Sequence, residues 1–249
     1  MRLALFRPLT DNDRGCDFGR NWIDRRLHQA KNHFVQTSWS RVANGGIKIT
    51  VLSRIAPPVL NWSVETTETY TFLGETMHVK VHAKPTGHGL PRAWGRFGLA
   101  TAVVGCERVK WFGRGPGESY RDSKLSQLVG TWESLADDLW TEYEYPQDGG
   151  QRMDVRWVEF TSGGDHPKRL LRARWGDFEG ASFQARRYAD MDIEQAQHPF
   201  ELQKKKRGDH VVHLDWDHHG LGTGSCGPET PPQYTLHADR EMKMEVLLD

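Results

Sequence analysis

Residues 76–84, TMHVKVHAK, alternate without a break: Met77, Val79, Val81 and Ala83 fall on one side, His78, Lys80, His82 and Lys84 on the other. Successive side chains of an extended chain point to opposite faces, so this pattern predicts a strand with one face in a core and one in water. EMKMEVLL repeats it near the end, with Met242, Met244, Val246 and Leu248 in phase. ETTETYTF (65–72) and MDVRWVEF (153–160) are rich in the β-branched and aromatic residues that suit a pleated surface. FVQTSWSRVANGGIKITVLSRI reads as strand, turn, strand, with Asn44-Gly45-Gly46 as the hairpin signal.

Helical spacing is scarce. Ile23, Leu27, Ala30 and Phe34 within NWIDRRLHQAKNHF predict one helix. MDIEQAQHPFELQ (191–203) is a second, weaker candidate that Pro199 interrupts. Strands do not alternate with helices, which argues against a parallel sheet. The expectation is an all-β chain, one large antiparallel sandwich over residues 1–249 with one or two short helices.

Charge excludes some functions. Lys plus Arg equals Asp plus Glu at 33 each, so no global field draws nucleic acid or an anionic membrane. MRLALFRPLTDNDRG lacks the apolar run of a signal peptide, and no stretch is of membrane-spanning length; a cytoplasmic protein is expected. Cys16, Cys106 and Cys226 are an odd number without CxxC spacing, which reads as reduced thiols. Ten tryptophans suit either a sandwich core or a surface that stacks on sugars.

Several motifs carry a chemical and a plain reading. In WFGRGPGESYRDSK (111–124), GRGPGES lacks the Lys-Ser/Thr ending of a phosphate loop, and Pro116 removes an N–H. Glu118 and Asp122 could be paired glycosidase acids, but a rigid turn whose carboxylates bind backbone N–H groups or arginines is favoured. In HVVHLDWDHHG, strand alternation puts His213, Asp215, Asp217 and His219 on one face; a solvated face is favoured over a metal site. KKKRGD (204–209) is read as a solvated loop rather than a polyanion patch. GLGTGSCGP (220–228) is a small-residue loop in which a nucleophilic Cys226 is disfavoured, but which lets a ligand approach the backbone closely.

Taken in order, these stretches resemble the C-terminal domain of the large β-galactosidases of glycoside hydrolase family two, which is also the separate small chain of two-subunit members. FRPLTDNDRG is similar to the family's aromatic-Arg-x-x-Thr-Asp-Asn-Asp-x-Gly through Phe6, Arg7, Thr10, Asp11, Asn12, Asp13 and Gly15. GRGPGESYRDS matches Gly-x-Gly-Pro-x-Glu-Asn-Tyr-x-Asp-Arg at Gly113, Gly115, Pro116, Glu118, Tyr120 and Asp122, with Ser119 and Ser123 as departures. PQDGGQRMDVRW resembles a third signature through Arg152, Asp154, Arg156 and Trp157, with Asp148 and Gly149 substituted. GLGTGSCGP occupies the last, with Cys226 where some members carry Trp.

The resemblance implies a galactose-mutarotase-like supersandwich without catalytic residues of its own. The family's acid/base and nucleophile glutamates, its magnesium and most of its sodium ligands lie on a separate barrel. No metal is therefore expected here, and Glu118 and Asp122 are not the catalytic pair. It also implies that Ser225 and Cys226 lie nearest the galactoside and that the turn at Asp11, Asn12 and Asp13 forms a mobile rim with Gly15 as hinge. Glu118, Tyr120, Asp122, Arg152, Asp154, Arg156 and Trp157 belong to rim or framework. The partner is then a catalytic large chain, or a second copy by self-association; nucleic acid and membrane are not expected. A stand-alone sugar-binding module and an aldose mutarotase using His78, His82, His213 or His219 are the alternatives. Met1 stands only five residues before Phe6, so an unpaired sheet edge is expected.

Overall fold

A computed structural model describes residues 1–43, 45–176 and 179–249. Asn44 of the hairpin signal lies outside the described residues. The chain opens with β1 (Arg2–Ala4), α1 (Asp11–Arg14), α2 (Asp17–Asp24) and a 3₁₀ turn at Leu27–Gln29. A four-strand meander follows: β2 (Lys31–Arg41), β3 (Ile47–Ala56), β4 (Trp62–Leu73) and β5 (Thr76–Gly87). Next come β6 (Arg96–Val104), β7 (Cys106–Gly115), β8 (Leu128–Leu135), β9 (Arg152–Met153), β10 (Trp157–Ser162), β11 (Arg169–Arg174) and β12 (Ser182–Arg186). Two helices, α3 (Asp190–Gln195) and α4 (Pro199–Gln203), lead into β13 (Asp209–His218), and β14 (Met242–Leu248) closes the meander.

The strands form two antiparallel sheets, one of five in the order β1-β6-β13-β12-β9 and one of nine in the order β2-β3-β4-β5-β14-β11-β10-β7-β8. The alternation read in residues 76–84 holds: Val79, Val81 and Ala83 are buried, and β14 pairs alongside with Met244 and Val246 opposite Val81 and Val79. These side chains share one core with Leu99, Phe183, Val212 and Leu214 of the smaller sheet. Trp22, Trp62, Trp94 and Trp111 are fully buried in it, so most of the tryptophan signal belongs to packing, whereas Trp39 is 67% exposed.

The nine-stranded sheet overhangs its partner. Every residue of β2 is exposed, although its inward row continues that of β5: Trp39 pairs with Ile49, Ile49 with Tyr70, and Tyr70 with Val79. Nothing in the five-stranded sheet covers that end.

Two readings are corrected. The helix expected around Ile23, Leu27, Ala30 and Phe34 is displaced: α2 ends at Asp24, and Arg26 takes a left-handed φ of 54° that a continuous helix forbids. Leu27 is buried within the 3₁₀ turn, and Phe34 lies on exposed β2. The face at His213 and Asp215 is not solvated: both are fully buried beneath the loops that cover the outer side of the five-stranded sheet, and a bulge between Asp215 and Asp217 breaks the alternation. Short helices number four among the described residues, and Pro199 separates the last two, as its ring geometry requires.

Candidate functional site

Side-chain-to-backbone bonds tie the first and second sequence signatures to the last, and the third to the first and second. Thr10 caps α1, accepting from the Asp13 N–H at 3.3 Å while Asp13 accepts from the Thr10 N–H at 2.8 Å, a reciprocal capping box. Asp13 also accepts a forked pair of bonds from Arg7, at 2.5 and 3.2 Å, and Arg7 reaches on to the Gly220 carbonyl at 3.4 Å. Both partners are buried, and the guanidinium lies 5.1 Å over the Trp22 ring. The α1 turn is thereby fixed to the core.

The 220–228 loop is gripped from two directions. Asp122 accepts from the N–H groups of Leu221 at 2.9 Å and Gly222 at 2.7 Å. Asn12 donates to the Gly222 carbonyl at 2.9 Å and accepts from Ser225 through its N–H at 3.2 Å and its hydroxyl at 2.7 Å. A β-carbon at Gly15 would overlap the Gly224 carbonyl, so glycine there permits a backbone-to-backbone approach. Gly15 itself sits at ordinary right-handed helical angles, φ −78° and ψ −5°. Asp11 closes the other flank: its N–H donates to the Gln147 side chain at 3.0 Å, which donates back to its carboxylate at 3.1 Å.

The corner at 113–123 is structural. Glu118 accepts from the Gly150 N–H at 2.7 Å, from Thr141 at 2.8 Å and from the Tyr143 hydroxyl. Tyr120 is buried and donates to Asp148 at 3.4 Å; burial, and next the Asp148 charge, push its phenol well above the ordinary value. Arg152 donates to the carbonyls of Leu139, Gly150 and Pro116, and burial lowers it to about 10. Asp154 has a left-handed φ of 54° and binds Arg114 at 2.6 Å and Lys124 at 2.9 Å. Burial raises its carboxyl, but those cations outweigh burial and hold it below the usual range. Arg156 covers the Phe112 ring at 4.7 Å, and Trp157 pairs with Phe112 at the start of β10. These residues position others. Ser225 and Cys226 are exposed at the loop tip, with Asn12 beside them.

Sequence reasoning missed the polar layer beneath. Asp148 is fully buried among Arg186 at 2.9 Å, Gln184 at 3.1 Å and Arg96 at 3.4 Å, with His218 at 3.6 Å. Burial opposes its charge, yet the nearby His218 and the Arg96 and Arg186 cations hold it well below the carboxylate range. Asp215 takes Gln151 at 2.8 Å and Arg96 at 3.4 Å. His213 faces Asp190 at 3.2 Å, and Asp190 also binds Arg186. His219 lies edge-on between Phe18 and Trp22, its Nδ1 accepting from the Leu236 N–H at 3.2 Å. The histidines weighed for mutarotase chemistry are therefore either sealed, like His213 and His219, or paired with glutamates on the open sheet face, like His78 with Glu245 and His82 with Glu241. The one available signal was Asp148 itself, a carboxylate within a motif rich in Arg.

A sequence model of the family described as beta galactosidase small chain matches residues 1–248. The β-galactosidase of Kluyveromyces lactis is 30% identical over 241 residues, covering 95% of this chain and 22% of that protein. That of Arthrobacter sp. is 30% identical over 257 residues, covering 96% of this chain and 25% of that protein. The chain thus spans about a quarter of the length of these relatives. A GalM/aldose epimerase homologue from C. elegans aligns over 86% of the chain at 9% identity with a TM-score of 0.33, a likeness too slight to carry the fold.

Proposed function

The chain belongs to the β-galactosidase small-chain family, and from that membership we propose that it completes the galactose pocket of a retaining β-D-galactoside hydrolase whose catalytic carboxylates lie on a separate part. The observation that carries this reading is the clasped loop. Ser225 and Cys226 stand exposed while Asn12 and Asp122 fix the backbone behind them. A wall of that kind is open on one side and needs a second element opposite. The two carboxylates of the 113–123 signature are engaged: Glu118 is held by three donors and Asp122 by two backbone N–H groups. Neither is disposed to protonate a leaving group.

In this reading the partner is a catalytic large chain, with magnesium and sodium held there, and the working compartment is the cytoplasm. Among the described residues no helix is long and apolar enough to cross a membrane. The test is to mix the purified chain with a large chain lacking this part and assay an aryl β-galactoside. Activity is expected in the mixture and in neither component alone. Hydrolysis by this chain alone that survives Glu118→Gln would overturn the assignment.

A further inference from the structure

The chain has no net charge, yet its charge is not evenly spread. Residues 25–64 contain Arg25, Arg26, Lys31, Arg41, Lys48 and Arg54 and not one Asp or Glu. This run supplies β2, β3 and their turn, the overhanging end of the nine-stranded sheet. Lys31, Arg41, Lys48 and Arg54 make no ion pair among the described residues; Arg54 lies in register with Glu65, and the other three have no carboxylate opposite. The nearest acid on the inward row, Glu68, is buried two strands in and bonded to Tyr70.

Three properties coincide at β2. It is an edge strand of eleven residues, so one side of its backbone presents unpaired N–H and C=O groups. Its inward side chains, with those of β3 and β4, leave an apolar shelf open: Phe34, Trp39, Ile47 and Phe72 are all exposed. Its outward row begins with Lys31 and His33 and is backed by Lys48 and Arg54 of β3. We propose that β2 is a docking edge for an acidic, amphipathic extended segment of a partner polypeptide. That segment adds as a tenth strand, its apolar side chains lying against Trp39 and Phe34 and its carboxylates against Lys31 and Lys48 on the outward row.

Strand addition supplies main-chain bonds, and alternating side chains supply the selection. A second copy of this chain fits poorly. A second copy of this edge brings a run, residues 25–64, with no Asp or Glu, so basic strand would meet basic strand. A nucleic acid satisfies the charge but neither the open backbone edge nor the shelf. The surface needs no galactoside and no catalytic partner for its test.

The test uses the full chain and a fluorescein-labelled nine-residue peptide of alternating Val and Glu, its counterpart with Lys for Glu, and a twelve-residue oligothymidylate. Anisotropy should show the Glu peptide binding at least about tenfold tighter than the Lys peptide. Hydrogen exchange should slow at residues 31–41. Lys31→Glu with Lys48→Glu should reverse the peptide preference, and Trp39→Ser should weaken both peptides, with circular dichroism unchanged for these surface positions. Equal binding of the two peptides, absence of binding by either, protection away from β2, or an oligothymidylate that protects residues 31–41 better than the Glu peptide would each overturn the proposal.

Discussion

Asn12 and Ser225 are bonded twice, the Asn12 side-chain oxygen accepting from the Ser225 N–H at 3.2 Å and from its hydroxyl at 2.7 Å. The loop tip is therefore placed by a side chain more than two hundred residues away in the chain, one of several direct links between the first and last sequence signatures. Asn12→Ala in the reconstituted enzyme should raise the KM for an aryl galactoside by roughly 3–10-fold, worth about 1 kcal/mol of binding. The melting temperature of the chain should change little. An unchanged KM would remove this loop from the sugar site.

Gly15→Ala tests the close approach on the other side of the same contact. The added methyl meets the Gly224 carbonyl, which is backbone and cannot swing away. Overpacking of this kind costs about 1–3 kcal/mol. Urea denaturation should show that loss, whereas a hinge role for Gly15 without steric contact would leave the midpoint where it was.

Asp13→Ala strands Arg7. With both members buried, removing one leaves a charge with no counter-ion, and a loss of about 3–5 kcal/mol of stability is expected. Arg7 with Asp13 both replaced by apolar residues should recover part of it. A double variant as unstable as the single one would mean that the turn, not the charge, is what the pair holds.

Two of the three cysteines separate packing from exposure. Cys226 is exposed and Cys106 is buried, its thiol pushed up to about 11, first by burial. Cys226→Trp should fold normally and change KM for a galactoside in the reconstituted enzyme, while Cys106→Trp should lower stability by about 1–3 kcal/mol through overpacking. Thermal melts of the two variants decide this; equal destabilisation would mean that the 226 position packs inward.

Acid should destabilise the fold in two stages. Burial first, and then the positive charge of Arg7, hold His219 well below its ordinary value of 6.5; burial likewise lowers His210. Below pH 6.5 the unfolded chain binds protons that the folded one refuses, so stability falls as pH drops from 7 towards 5. The slope is at most about 1.4 kcal/mol per pH unit for each such histidine. Asp148 is depressed in the folded state, and its contribution is lost only below the unfolded carboxylate value near 3.8. Urea midpoints across pH 4–8 check the sign; a flat profile between 7 and 5 would contradict it.

The sequence was most readable where one face of a strand meets water. In β5 the alternation of Val79, Val81 and Ala83 with Lys80, His82 and Lys84 marks the buried side directly. It was least readable where both faces are covered or both are open. β13 has Val212 and Leu214 in the core and His213 and Asp215 under loops, and a polar row hidden by loops looks the same in sequence as a wet one. β2 carries Trp39 and Phe34 in water. The misplaced helix has a local cause: the spacing of Ile23, Leu27 and Ala30 is helical, but nothing in the residue type of Arg26 announces its positive φ. Of the candidate residues, Asp122 and Glu118 were rightly read as turn carboxylates that bind backbone N–H groups, because that is what short acidic side chains in Gly-rich corners do. Beyond the hint of Asp148 itself, the buried polar layer was not legible, since its members come from segments tens of residues apart.

The double grip on the 220–228 loop separates two demands that usually conflict. Asp122 and Asn12 hold the main chain at positions 221, 222 and 225, leaving the Cys226 side chain with no structural duty of its own. If the loop is the pocket wall proposed above, heritable change at that one codon retunes ligand preference without first being screened for folding. Saturating position 226 should yield near-constant soluble protein across its variants but a wide spread of galactoside KM in the reconstituted enzyme, whereas the same library at position 122 should be sorted by solubility before any preference can be measured.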